Sequence, residues 1–344
     1  MLTQAPRAEL PKSRKAVRRE IKKHLKTRII DHFAVQHPGA EPGPAAPVAL
    51  AAMKPANPPP APSSAERPVM TAEDLIYGDY LEPGDVVLMT RLGSFFSWLL
   101  RVFDHSDFAH AAMVFQTPRP AEGIDQTFLI ETSMGGVEIV SLAQFLAPKN
   151  VYADTGLPPD FVIGIRRLET EWAGVPHRRM ASSRMIEHIQ NKEYNFRLLA
   201  ALASPRTRSL YFRLRDTLRG KAPSIGDFFK TSGSYMPKQF ICSGFVQYAF
   251  YDMVRLASLR GYIPMEIKER ALEDILFSPD TKLTSELEEL VACTPKLLAN
   301  TEKLQWKYLV HQGEVFHVST QEQVTKFFKE TLPERRKREP RLDA

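Results

Sequence analysis

Between residues 71 and 276 short apolar runs bounded by turn residues give way to longer runs of helical period. PGDVVLM puts a Pro-Gly turn ahead of an unbroken apolar run, which predicts a buried strand over 85–89. LGSFFSWLLRVF follows, with apolar residues at 95, 96, 99, 100 and 103, the period of a helix packed on that strand. After the polar break DHSD the pattern predicts strands over 109–115, 126–132 and, across the MGG turn, 136–140, with FVIGIRRL at 161–168 as a fifth. Helical patterns return over 176–190 and 241–258, separated by a polar, basic insert at 204–224. Strand, helix, several mostly antiparallel strands and then helices is an α+β order.

The two ends read differently. In 1–36, Val17, Ile21, Leu25 and Ile29 recur every four residues among cations, a basic amphipathic arm. Residues 37–70 form a Pro/Ala-rich linker that cannot pack as helix or sheet. Residues 71–276 are then the expected domain, and 277–344 a helical C-terminal extension. In that extension TSELEELVACTPKLLANTEKLQWKYL has helical period, EVFHV suggests a short strand, and STQEQVTKFFKETL opens on a Ser/Thr cap before an amphipathic helix. PERRKREPRLDA ends it as a charged tail.

Charge changes this picture more than composition does. With 344 residues and 43% hydrophobic content the chain can bury a substantial core. Its formal net charge is +6, yet residues 1–35 alone hold ten Lys/Arg against three acidic residues, so the remainder is near −1. A nearly neutral body argues against nucleic acid as its partner and moves any polyanion contact, an anionic membrane surface first, onto the arm. The two cysteines, Cys242 and Cys293, make neither a CxxC pair nor a disulfide framework, and a reducing compartment follows. No secretory apolar core stands at the N-terminus and no run of 18 apolar residues occurs, so a cytoplasmic protein, peripheral to a membrane at most, is expected. The nine histidines form no HExxH and no Cys/His cluster, so neither metal nor cofactor is expected.

Three residues carry candidate chemistry. Cys242 stands where QFI meets the helical run SGFVQYAF, and a thiol at a helix N-terminus gains thiolate character from the helix dipole. His110 heads the apolar strand AAMVF, a place from which a base can face a cleft; His105 in DHSD competes for that role from a polar loop. Glu131 closes TFLIE one strand later and can orient the imidazole if the two strands pair. The bland alternatives are a core cysteine, a structural histidine and a surface carboxylate.

GDVVLM, DFAHAAMVF, FLIETSMGGVEIVSLAQFL, KEYNF and FICSGFVQYAF together resemble the circularly permuted NlpC/P60 proteins of the papain-like superfamily, closest to their YiiX-like branch. The likeness spans roughly residues 80–270. It implies a permuted papain-like fold, a mostly antiparallel sheet packed on helices, with Cys242 as nucleophile, His110 as base and Glu131 as orienter. It also implies that Tyr194 in KEYNF lines the substrate cleft. The implied reaction is acyl transfer through a thioester, with an amide or ester of a lipid or peptide as substrate. Where that family continues Cys-Ser-Glu-Leu, this chain reads Cys242, Ser243, Gly244, Phe245. The departure keeps alive a non-catalytic binding or assembly module on the same scaffold.

Overall fold

The computed structural model describes residues 68–330 apart from 93–96, 98–99, 102–103, 134–135, 147–160, 190–192, 195–197, 199–210, 212–223 and 231–238. The arm, nearly all of the linker, the charged tail and most of the 204–224 insert lie outside the described residues. What is described belongs to one compact unit, Pro62–Ala344.

An eight-stranded sheet, antiparallel at every pairing, organises the unit. Its strands are β1 (Met70–Thr71), β2 (Val86–Arg91), β3 (His110–Gln116), β4 (Phe128–Ser133), β5 (Gly136–Ser141), β6 (Phe161–Leu168), β9 (Leu304–His311) and β10 (Glu314–His317), and β7 (Glu193–Tyr194) with β8 (Gln239–Phe240) makes a separate parallel pair. The order across the sheet is β1-β10-β9-β6-β2-β3-β4-β5. The class is therefore α+β. All five strands predicted from the hydrophobic runs form within a few residues of their expected ends. Near 97–104 the described residues Ser97, Leu100, Arg101 and Asp104 are helical.

Local chemistry explains the elements. Gly84, at φ +93, turns the chain into β2, and a Cβ there would lie 2.5 Å from the Arg178 carbonyl oxygen. Helix α1 (Ala72–Tyr77) starts in a capping box between Thr71 and Asp74 and lays Leu75 and Ile76 on the sheet. There they join Val87, Met89, Ala112, Val114, Leu129, Ile163 and Val310, with Phe145 of α2 (Ala143–Leu146) closing the layer. Helix α3 (Val175–Arg184) and the short α4 (Ile225–Lys230) precede α5 (Cys242–Leu259). Fourteen of the eighteen α5 residues are buried, so this helix is central rather than amphipathic.

The C-terminal reading needs two corrections. KLQWKYLVH is not helical: Leu304–His311 is strand β9, paired along its length with β6. Nor do residues after 277 stand apart, because β9 and β10 complete the same sheet and Val310 and Val315 enter its core. Between α6 (Lys268–Asp274) and β9 the chain wraps the open side of α5, with only the short α7 (Leu287–Leu290) and α8 (Pro295–Asn300) on the way. The Gln247 side chain donates to the Ile275 carbonyl (2.6 Å) and accepts from the Phe277 N–H (3.0 Å). Arg166 of β6, stacked over Trp306 (4.7 Å), donates to the carbonyls of Leu298, Ala299, Thr301 and Leu304. The chain closes with α9 (Gln321–Glu330), where Thr320 and Gln323 form the expected cap.

Candidate active site

Strand pairing decides which groups meet. Ala112 of β3 stands directly opposite Glu131 of β4, and His110 shares the face of Ala112 because strand side chains alternate. Glu131 is thus the diagonal neighbour of His110, about 7–8 Å away between backbones, a gap that a long side chain spans. It does so with Oε2 2.7 Å from His110 Nε2. The carboxylate is buried, while the imidazole keeps 28% of its side-chain surface open.

Helix α5 brings the third group. Ile241, extended at φ −91 and ψ 162, caps it without a side-chain bond, and Cys242 is its first residue. Phe245 is the first residue whose N–H bonds within the helix, to the Ile241 carbonyl (2.9 Å). The N–H groups of Cys242, Ser243 and Gly244 therefore have no acceptor inside the helix. The N–H groups of Ser243 and of Ala111 donate to the Cys242 sulfur, and the His110 side chain hydrogen-bonds to it as well. Since Nε2 is engaged by Glu131, Nδ1 is the nitrogen that faces the thiol.

Electrostatics follow this geometry. Burial pushes the Cys242 thiol up, but the adjacent imidazolium and the two N–H donors outweigh it, and the thiol's pKa lies below the ordinary thiol value. Burial likewise lowers His110, and the thiolate together with the Glu131 carboxylate reverses this, raising it well above the ordinary imidazole value. A thiolate beside an imidazolium is the state both shifts favour.

Three residues far apart in sequence thus converge, in the chain order His, Glu, Cys. The competitor His105 does not join them. It is exposed, at φ +49, in a left-handed turn directly after helical Asp104, where the Ser106 N–H closes on the Arg101 carbonyl (3.1 Å). Tyr194 is placed only through its backbone: in β7 it pairs with Phe240, two residues before Cys242.

The contacts that seat Cys242 were not legible in sequence. A Cβ on Gly244 would lie 1.9 Å from the Val291 carbonyl oxygen, so only glycine lets the 291–293 main chain rest on the first turn of α5. Ser243 Oγ donates to the Cys293 carbonyl (2.7 Å), and the Lys296 N–H donates to Asp104 (2.8 Å), six residues ahead of His110. A single segment of the supposed extension is therefore tied to the first turn of α5 and to Asp104, ahead of β3. The departure from Cys-Ser-Glu-Leu at Gly244 is a packing requirement.

Among the described residues no cluster of three or more His, Cys, Asp or Glu is placed to hold a metal ion, and no helix is long and apolar enough to cross a membrane. No protein-family model matches the chain. No curated protein matches it. Among solved structures it is similar to the crystal structure of metalloprotein yiiX from Escherichia coli O157:H7, DUF1105, at 14% identity and a TM-score of 0.33, over 67% of this chain and 97% of that one. A likeness of that size transfers no residue role.

Proposed function

We propose that this protein is a cysteine-dependent hydrolase or acyltransferase that cleaves an amide or ester bond through a thioester on Cys242. The observation that carries the reading is His110 standing between Glu131 and Cys242, with the imidazole raised and the thiol lowered in pKa. The same reading takes the fold as a permuted papain-like one, in which the His strand precedes the Cys helix.

The steps follow from the atoms. The Cys242 thiolate adds to the substrate carbonyl carbon, and the electron pair displaced from C=O builds an oxyanion against the N–H groups at the start of α5, that of Cys242 first. As the intermediate collapses, His110 Nδ1–H gives its proton to the departing amine or alkoxide. Water or an acceptor amine, deprotonated by the now neutral imidazole, then attacks the thioester and frees Cys242. Throughout, Glu131 holds Nε2–H and so fixes which nitrogen faces the reaction.

Lipid or peptide amides and esters are the substrate class, with Tyr194 lining the cleft through β7. The basic arm adds an anionic membrane surface as partner and favours the lipid branch; loss of binding to anionic vesicles on removal of residues 1–67 is the expected result, and unchanged binding overturns that part.

The primary test is iodoacetamide alkylation of Cys242 against pH, followed by peptide mass spectrometry, with buried Cys293 as internal reference. Cys242 is expected to react well below the ordinary thiol pKa of about 8.5, and to lose that advantage in His110→Ala. A Cys242 that titrates as an ordinary thiol overturns the proposal.

A further inference from the structure

A helix start without a side-chain cap and with a glycine in its first turn holds its backbone weakly, and α5 begins that way. Ile241 at the N-cap offers no side-chain acceptor, and Gly244 adds backbone freedom. The missing acceptor is replaced from within the turn, because the Ser243 N–H, one of its orphan donors, goes to the Cys242 sulfur. That bond stabilises a thiolate only while the 242–243 peptide keeps its orientation, since a hydrogen bond weakens steeply as its donor turns away. The Ser243 side chain supplies the orientation. It is fully buried, and its Oγ donates to the Cys293 carbonyl at 2.7 Å. The accepting segment is itself held. The Val291 main chain rests against Gly244, and Asp104 accepts from the Lys296 N–H at 2.8 Å and from the Thr294 hydroxyl.

We infer that Ser243 is a positioning residue of the reaction: tied by its hydroxyl to the Cys293 carbonyl, it holds its own N–H on the Cys242 sulfur. The inference rests on the proposed reading of Cys242 as the nucleophile. It gives the C-terminal segment a part in the chemistry, because the carbonyl that fixes Ser243 belongs to residue 293. The contacts of His110 and Ala111 with the sulfur do not pass through the Ser243 hydroxyl. Loss of that hydroxyl therefore weakens the stabilisation of the thiolate without abolishing it.

The test follows iodoacetamide alkylation of Cys242 against pH in the full chain and in Ser243→Ala, with a urea titration of each. Ser243→Ala is expected to raise the alkylation midpoint by roughly one pH unit, an about tenfold lower rate where the pH lies below both midpoints. Gln247→Leu is the control for stability alone. It breaks the tie of the same helix to Ile275 and Phe277, and is expected to lose stability while keeping the wild-type midpoint. In the wild type the Ser243 amide resonance is expected to titrate with the Cys242 midpoint, a reading that needs no variant and so survives a Ser243→Ala that does not fold. A folded Ser243→Ala with the wild-type midpoint, an equal shift in Gln247→Leu, or a Ser243 amide indifferent to the titration overturns this inference and leaves the nucleophile reading standing. If wild-type Cys242 titrates as an ordinary thiol, both fail.

Discussion

A glutamate suits position 131 because its target is diagonal rather than directly opposite, and one methylene fewer leaves the gap to Nε2 open. Glu131→Asp and Glu131→Gln are both expected to lower turnover roughly 10²–10⁴-fold without unfolding the protein, the first by reach and the second by charge. Steady-state kinetics beside circular dichroism checks this, and wild-type activity in both variants removes Glu131 from the proposed mechanism. The pH dependence has two limbs. Thiolate forms as pH rises through the lowered Cys242 pKa, and the leaving-group proton is lost as pH rises through the raised His110 pKa. Alkylation should therefore rise once and stay high, while turnover should be bell-shaped. His110's contribution to stability, from a pKa raised on folding, is fully present below its unfolded value and disappears as pH climbs through the folded one. Residue types and their strand or helix positions made His110, Glu131 and Cys242 legible in sequence. Gly244 and Ser243 were not, since their roles lie in contacts with residues 291–293.

At the scale of elements, the unbroken apolar runs of β2, β3 and β6, buried on both faces, were legible as strands, and the mixed polar and apolar run of β9 was not. The Thr320–Gln323 cap and the strands from β2 to β6 follow local rules. LQWKYLVH misleads because β9 lies between two strands and a register shift opposite Ile165 and Arg166 interrupts its alternation, leaving apolar spacings that mimic a helix. Arg166 is the polar tie at that bulge, with four carbonyls around one guanidinium. Arg166→Met is expected to cost about 3 kcal/mol or more, because it strands buried acceptors that had a charged donor. Gly244→Ala is expected to destabilise by about 1–3 kcal/mol despite alanine's better helix propensity, since the new methyl displaces either α5 or the Val291 main chain. Urea titrations read both, and a neutral or stabilising alanine at 244 would mean that the 291–293 segment yields freely.

Over the whole molecule, the sequence places a boundary at 276 after the last helical pattern of the expected domain, and pattern cannot reveal that a later strand returns to an earlier one. A chain ending at Lys303 leaves one side of β6 without β9 and removes Val310 and Val315 from the core. It is expected to lack cooperative unfolding and to collect in the insoluble fraction; a soluble, cooperative product with reactive Cys242 would show that the return is dispensable. The order of synthesis gives this return a further meaning. Strand β6 is complete at Leu168 and its partner begins only at Leu304, 136 residues later. At ribosomal speeds of about 5–20 residues per second, that is on the order of ten seconds during which the N–H and C=O groups along one edge of β6 lack their partner strand. The sheet that carries His110 and Glu131 is therefore completed only when the last tenth or so of the polypeptide has emerged.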